Sequence, residues 1–268
     1  SRPLSKKELM LRINNQLLLL ESQRIIACQN EKIQNVVRSK EKLYSVIAHD
    51  LRAPIGTLKM ILEAIDHQKE KIPDSNIKHL IKMLQETTDE AYLLLENLLL
   101  WSNSRNGVLK PVLQTFSFSE AAKDVVILQE NIAEAKGIKV YNHLDKAFPV
   151  HADLNMMKTV LRNLLSNAIK FSYTGGEINI DGEEKDGYLI VSVRDKGQGI
   201  SEEHQRDLFA DGLHFISYGT QKEKGSGLGL QLCKDFVKMN HGKIWFNSKE
   251  GKGTTFYFSI PVSDKVPN

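Results

Sequence analysis

The chain has 268 residues, 41% of them hydrophobic, with a formal net charge of +3 and a pI near 8.6. That is enough apolar material for two domains, and the basic excess is too mild to argue for nucleic acid as a partner. Cys28 and Cys233 are the only cysteines and stand far apart, which excludes a disulfide framework and a paired-cysteine metal site and fits a reducing cytosol.

Residues 4–48 predict one long helix without interior glycine or proline. Its longest apolar run, Leu17 to Leu20, is far short of a membrane span, and no basic segment followed by an apolar one marks a secretory signal. The expectation is a cytoplasmic chain, a soluble piece of something longer, with any membrane attachment supplied by an upstream sensor region. Ile26, Ile33, Val36 or Val37, Leu43 and Ile47 recur at coiled-coil spacing. Such a helix could pack on its own domain, but one this long needs a partner along its length, and a parallel twin is the simplest. Gln16, Asn30 and Gln34 would loosen the seam.

Late in this helix, residues 45–54 read Ser-Val-Ile-Ala-His-Asp-Leu-Arg-Ala-Pro. Pro54 removes the hydrogen bond to the carbonyl of Asp50 and predicts a kink one turn past His49. His49 then stands as an exposed imidazole beside a carboxylate. Asp50 holding Nδ1–H would leave Nε2 free to attack, an arrangement that suits a nucleophile. Taken alone, one helical histidine among eight is more often an ordinary surface or core residue.

The helix continues past Pro54 through Ile55, Leu58, Ile61, Leu62 and Ile65. Residues 66–75 read as a turn, and a second helix covers 76–102, with Ile77, Leu80, Ile81, Leu84, Ala91, Leu94, Leu95, Leu98 and Leu99 on its apolar face. Two helices joined by a short turn make a hairpin, and two hairpins make a four-helix bundle. Residues 1–102 therefore predict a dimeric helical domain bearing His49.

Residues 104–107 break the pattern and mark a linker. Beyond it, 112–118 alternates like a strand, and Ser117 with Glu120 forms a capping box before a helix over 121–136 that ends at Gly137. Short strands are expected at 138–143 and 148–151. Asp153 caps a helix reaching Phe171. Residues 177–184 and 188–194 alternate around Asp186-Gly187, a hairpin signal. A short helix opens at Ser201, a polar stretch runs over 210–224, a helix covers 227–240, and strands at 243–248 and 254–261 flank Glu250-Gly251. The second domain is thus a mixed α+β layer over about 110–264, without internal repeats.

Four clusters in this domain carry chemistry. Asn163, Asn167 and Lys170 fall on one face of the helix that Asp153 opens, with Phe171 at its end, while Val160, Leu161, Leu164, Leu165 and Ala168 cover the other side. Asparagine is a poor mid-helix residue, and an amide oxygen suits Mg²⁺ as an ammonium suits phosphate; a solvated helix face explains the pattern about as well. Asp195-Lys196-Gly197-Gln198-Gly199 follows an apolar strand. Its carboxylate can accept from an exocyclic amine, and its glycines let backbone approach a flat ring; an ordinary turn is the plain alternative. Gly225-Ser226-Gly227-Leu228-Gly229-Leu230 opens a helix, where N–H groups and the positive dipole end attract phosphate. A lone glycine triplet is weak, and this one is neither the phosphate loop ending in Gly-Lys-Ser/Thr nor a dinucleotide fingerprint. The 210–224 stretch is long enough for a lid over a site, or for a plain surface loop.

His49-Asp50-x-Arg52-x-Pro54, Asn163-x₃-Asn167-x₂-Lys170-Phe171, Asp195-x-Gly197-x-Gly199 and Gly225-x-Gly227-x-Gly229 follow in the order of the H, N, G1 and G2 boxes of a two-component sensor histidine kinase, which the chain resembles from about residue 40 onward. Phe209 resembles the phenylalanine before the lid, and Gly253-Thr254-Thr255-Phe256 the closing strand motif. Each motif is modest; four in order are highly specific. The resemblance implies an α+β protein of two domains: a helical hairpin forming a dimeric four-helix bundle, then an α/β sandwich of the histidine-kinase-type ATPase fold. The boundaries expected are 1–40 for a coiled-coil signalling helix, 41–106 for dimerisation and phosphotransfer, and 107–268 for ATP binding and catalysis. It further implies autophosphorylation of His49 from Mg-ATP, with Asp50 assisting, and transfer to an aspartate of a response-regulator receiver domain by a homodimer.

By the same likeness Asn163 binds Mg²⁺, and Asn167 and Lys170 contact the phosphates, with Phe171 beside them. Asp195 accepts from the adenine amine. Gly197, Gly199, Gly225, Gly227, Leu228 and Gly229 shape the pocket and lid, and Thr255 lies near the adenine. One departure stands out: position 53 is alanine where the family usually has threonine or asparagine, which implies weak receiver dephosphorylation. Two rivals are a catalytically degenerate dimeric nucleotide-binding scaffold, against which the intact His49, Asp50 and Asn163 speak, and an ATP-gated clamp, against which the His49 bundle speaks.

Overall fold

The computed structural model describes residues 6–67, 74–105, 108–209, 219–220 and 227–263. The chain divides into two compact units, Ser1–His49 and Asp50–Asn268. Helix α1 (Lys6–His67) supplies the described part of the first unit and runs on through Pro54 rather than ending there. Just past the proline, Thr57 Oγ1 donates to the Ala53 carbonyl at 3.1 Å, a back-bond of the kind that bends helices. Along the first unit the seam residues Ile26, Ile33 and Val37 are 55%, 60% and 46% exposed, so a single copy leaves them open to water. The side chains of Val36, Leu43, Ile47, His49 and Asp50 lie outside the described residues.

The turn expected at 66–75 includes residues 68–73, which lie outside the described residues, as do 106–107 of the linker. Helix α2 (Asp74–Arg105) is longer at both ends than the sequence pattern indicated. Ile81, Tyr92, Leu95 and Leu99 share an exposed face, while its last turns bring Leu100 and Trp101 onto the core of the sandwich and place α2 against α6 (Leu228–Met239). No helix among the described residues is long and apolar enough to cross a membrane.

The sandwich is two layers. A five-stranded sheet runs in the order β2 (Lys139–Asn142), β4 (Glu177–Lys185), β5 (Tyr188–Asp195), β7 (Gly253–Pro261), β6 (Ile244–Lys249). Only β2 and β4 pair in parallel. Helices α3 (Phe118–Ala135), α4 (Leu154–Phe171) and α6 share its core, with a second ladder of β1 (Gln114–Ser117) and β3 (Pro149–Ala152) at the side. A four-residue helix, α5 (Glu202–Gln205), follows β5. The α+β reading is borne out. Alternation along β4, β5 and β7 turns Ile178, Ile180, Leu189, Val191, Val193, Phe256, Phe258 and Ile260 inward, each at most 7% exposed. On the outer face Trp245 stacks on Tyr257 at 5.4 Å.

The helical faces follow the 3.6 period. In α4, Val160, Leu161, Leu164, Leu165 and Ala168 are 0–5% exposed, as expected. In α3 the buried stripe is Phe118, Ala121, Ala122, Val125, Val126, Gln129 and Ala133. The hairpin between β4 and β5 turns at Asp186 (φ 53°) and Gly187 (φ 78°), two successive left-handed residues that match the twist of the strands. Cys233 is fully buried between α6 and α4, its Sγ 3.8 Å from the Val160 carbonyl, and burial pushes its thiol up; Cys28 is exposed.

One cap expectation fails. Ser117 is at the N-cap of α3, but its side chain makes no cap bond, its oxygen is buried without a partner among the described residues, and Glu120 is exposed. The chain passes from the β1–β3 ladder straight into the helix, with Phe118 N–H taken by the Phe148 carbonyl at 2.9 Å. The Asp153 cap holds: Oδ1 accepts from Met156 N–H at 3.0 Å, and Oδ2 accepts from Val112 N–H at 2.8 Å, which fastens the segment before β1 to the start of α4.

Candidate functional site

The site forms where α4, the turn after β5 and the start of α6 come together. On α4, Asn163 and Asn167 are half-buried on the face away from the leucines. Asn163 Nδ2 donates to the Thr159 carbonyl of its own helix at 2.9 Å. This fixes the amide with Oδ1 outward, against the backbone of Gly229: a Cβ at Gly229 would stand 2.7 Å from that oxygen. The first turn of α6 thus comes close to Asn163 only because residue 229 has no side chain. Gly227 caps α6 in the left-handed conformation (φ 69°), a role that a β-carbon would strain. The helix start is where backbone N–H groups lack intrahelical partners and attract anions. Leu228 between them is buried, so its side chain belongs to the packing. Gly225 lies outside the described residues.

At the far end of α4, Lys170 Nζ stands 4.7 Å from the centroid of the Phe171 ring. The Phe171 carbonyl accepts from Gln198 N–H at 3.1 Å, and a Cβ at Gly197 would collide with that same carbonyl. A Cβ at Gly199 (φ 67°) would strike the Lys249 carbonyl. The turn after β5 is thereby pressed between α4 and the β6–β7 hairpin, where Gly251 N–H donates to the Gln198 carbonyl at 2.7 Å and Ser248 Oγ accepts from Ile200 N–H at 2.9 Å.

Asp195 ends β5 on the inner face of the sheet and is 5% exposed. Its Oδ1 accepts from Gly197 N–H at 2.8 Å and Thr254 N–H at 3.2 Å; among the described residues only this oxygen is so engaged. Burial pushes the carboxyl up to about 6, and the two N–H groups pull back against that rise. A buried carboxylate with one oxygen anchored keeps the other as an acceptor for a planar donor.

The structure therefore brings together Asn163 with Gly229, and Asp195 with Gly197 and the Phe171 carbonyl. Thr255 is placed differently: alternation turns it to the outer face, while the buried Thr254 reaches Asp195 through its N–H. Ser248 was not singled out in the sequence, and Gly253 and Thr254 were named only within the closing strand motif, without a role at Asp195. The signal for Gly253 was present, since its φ of 99° and the Asp195 carbonyl beside it leave no room for a side chain. His49 and Asp50 are placed by their backbone in α1 alone. No group of three His, Cys, Asp or Glu side chains that could hold a metal occurs among the described residues.

Residues 152–264 match the family model described as "Histidine kinase-, DNA gyrase B-, and HSP90-like ATPase", so the sandwich is an ATPase domain of that class. The chain is 32% identical over 257 residues to the adaptive-response sensory kinase SasA of Prochlorococcus marinus, covering 95% of this chain and 65% of that one. Among solved structures, histidine kinase AdeS of Acinetobacter baumannii has the same fold (TM-score 0.62, 24% identity, 81% of this chain and 98% of that chain). Histidine kinase ThkA in complex with response regulator protein TrrA gives a TM-score of 0.58 at 26% identity, over 83% of this chain and 61% of that chain. Along most of its length the chain is thus similar to sensor kinases, with an ATPase domain of the matched class over residues 152–264. It spans just under two thirds of the length of the SasA relative.

Proposed function

We propose that this chain is the kinase core of a sensor histidine kinase that phosphorylates His49 from ATP and passes the phosphoryl group to a response-regulator aspartate. The observation that carries this reading is Asp195, a buried carboxylate with Oδ1 held by two N–H groups, in one site with Asn163 and the start of α6.

In this reading Asp195 Oδ2 accepts from the exocyclic amine of adenine, and Gly197 and Gly199 keep the turn thin enough for the base. Asn167 and Lys170, with the α6 N-terminus beyond Gly227, neutralise and orient the phosphates. Asn163 would hold Mg²⁺: its oxygen is the free end of an amide whose nitrogen is already tied, which fits a hard cation. When bound, the cation supplies further neutralisation of triphosphate charge. Nε2 of His49 forms the bond to the γ-phosphorus as the bond from that phosphorus to the β–γ bridging oxygen breaks and ADP leaves. Asp50 holds Nδ1–H and so keeps the nucleophilic nitrogen free. Such transfer is mostly positioning, which suits a nucleophile and a nucleotide site on separate parts of the chain.

The domain boundaries that go with this function are 1–40, 41–106 and 107–268. The active form is a homodimer, because the apolar stripes of α1 and α2 are open in one copy. The ThkA structure holds a response regulator protein, which supports the same partner class here.

Incubation with γ-labelled ATP tests the reading. The wild type should acquire acid-labile phosphate, and His49→Gln should acquire none while binding nucleotide as before. Label persisting on His49→Gln would sink the assignment of the nucleophile.

A further inference from the structure

The carbonyls in the last turn of a helix have no partners within it. At the end of α4 groups from three other segments take them. Lys136, the C-cap of α3 and 8% exposed, donates from Nζ to the carbonyls of Ile169 at 3.0 Å and Lys170 at 2.7 Å. Gln198 N–H takes the Phe171 carbonyl. Thr220 takes what remains. Its N–H donates to the Lys170 carbonyl at 3.2 Å, and its Oγ1 donates to the Ser172 carbonyl at 2.7 Å, with the Lys170 carbonyl a longer 3.3 Å away. Thr220 belongs to none of the glycine or asparagine motifs. It lies between Phe209 and the glycine turn at Gly227, and its bonds join positions far apart in sequence.

We propose that Thr220 is a positioning residue for the phosphate side of the nucleotide site. It fixes the backbone of Lys170 and Ser172, and so holds the root of the Lys170 side chain in place relative to the start of α6. Lys136 grips the same carbonyl of Lys170 from the opposite element, so the end of α4 is clamped between two donors. The base side has further anchors of its own besides the Phe171 carbonyl, because Asp195 is held by Gly197 and Thr254 and the turn is tied to the β6–β7 hairpin through Gly251. Loss of the Thr220 hydroxyl therefore loosens the grip on phosphates and leaves the adenine contact as it was. This inference rests on the nucleotide-site reading above and deepens it.

The test is displacement of a fluorescent ATP analogue from the full chain, by a non-hydrolysable ATP analogue and by adenosine in parallel. Thr220→Val keeps the shape and removes the donor; it should weaken the ATP analogue by about tenfold, as for loss of one hydrogen bond, with adenosine unchanged. Thr220→Ser restores the donor and should recover affinity to within about twofold. Thr220→Ala gives the same reading if valine packs badly and the variant does not fold. An ATP-analogue affinity unchanged by the loss of the hydroxyl overturns the proposal. So does an equal loss for adenosine, which would mean general distortion, and so does a serine variant that fails to rescue. A wild-type chain that binds no fluorescent nucleotide would sink the site reading itself, and this inference with it.

Discussion

Asp195 carries a conflict between stability and function. Its carboxyl is raised to about 6 by burial, so the folded state binds the proton more tightly than the unfolded chain does. The stability this group contributes is fully present below the ordinary carboxylate range and is lost as pH rises from about 4 through about 6. The whole effect is on the order of 3 kcal/mol. Asp195→Asn keeps an oxygen for Gly197 and Thr254 but removes the buried charge. Its urea midpoint at pH 7 should equal or exceed that of the wild type, while its nucleotide affinity falls because an acceptor becomes a donor. Unchanged affinity would show that the base binds elsewhere. For the wild type, apparent affinity should fall about tenfold for each pH unit below 6, as the acceptor is protonated; a flat titration between pH 5 and 7 would contradict the assigned role. At Ala53, a threonine would restore a hydroxyl one turn beyond the histidine. We expect Ala53→Thr to speed loss of aspartyl phosphate from a phosphorylated receiver mixed with ADP, and no change would show that position 53 does not limit that reaction.

Among the elements, α4 was the most legible in the sequence and α3 the least. Asp153 and the leucine period define α4 locally, and the structure follows them from cap to Phe171. At the start of α3, Ser117 and Glu120 satisfy a local rule, while the chain enters the helix directly from a long-range strand pairing. The asparagines and glycines of the site were legible as motifs, each being an unusual choice for its position. Thr220 and Ser248 were not, and Thr254 only as a member of the closing strand motif, because an ordinary hydroxyl or N–H gains its role only when a distant segment brings it a partner. The segment before β1 shows the same limit: Val112 N–H is held by Asp153, a contact that no local pattern announces. Asp153→Ala should lose that bond and the Met156 cap together and cost about 2 kcal/mol. Chemical denaturation would check it, and a loss under about 0.5 kcal/mol would show the cap to be dispensable.

At the scale of the whole molecule, the apolar residues left open on α1 and α2 define what one copy lacks. Ile26, Ile33 and Val37 on the first helix, and Leu95 and Leu99 on the second, are exposed well beyond core values. Light scattering on the full chain at micromolar concentration should give twice the 30.4 kDa of one copy. Ile26→Glu combined with Ile33→Glu should weaken that association, because like charges would face each other across a parallel seam. A monomeric wild type would contradict both the coiled coil and the bundle.

The two cysteines give this molecule an internal clock. Cys28 is open to any thiol reagent, whereas Cys233 can react only when α6 lifts from α4. With reagent in excess, the first thiol should be consumed at once and the second at a pace set by how often the sandwich opens. Anything that bridges α4 and α6 must slow the second event and leave the first alone. Added nucleotide is therefore expected to separate the two rates further, in a mixture that needs neither label on the phosphate nor a known receiver.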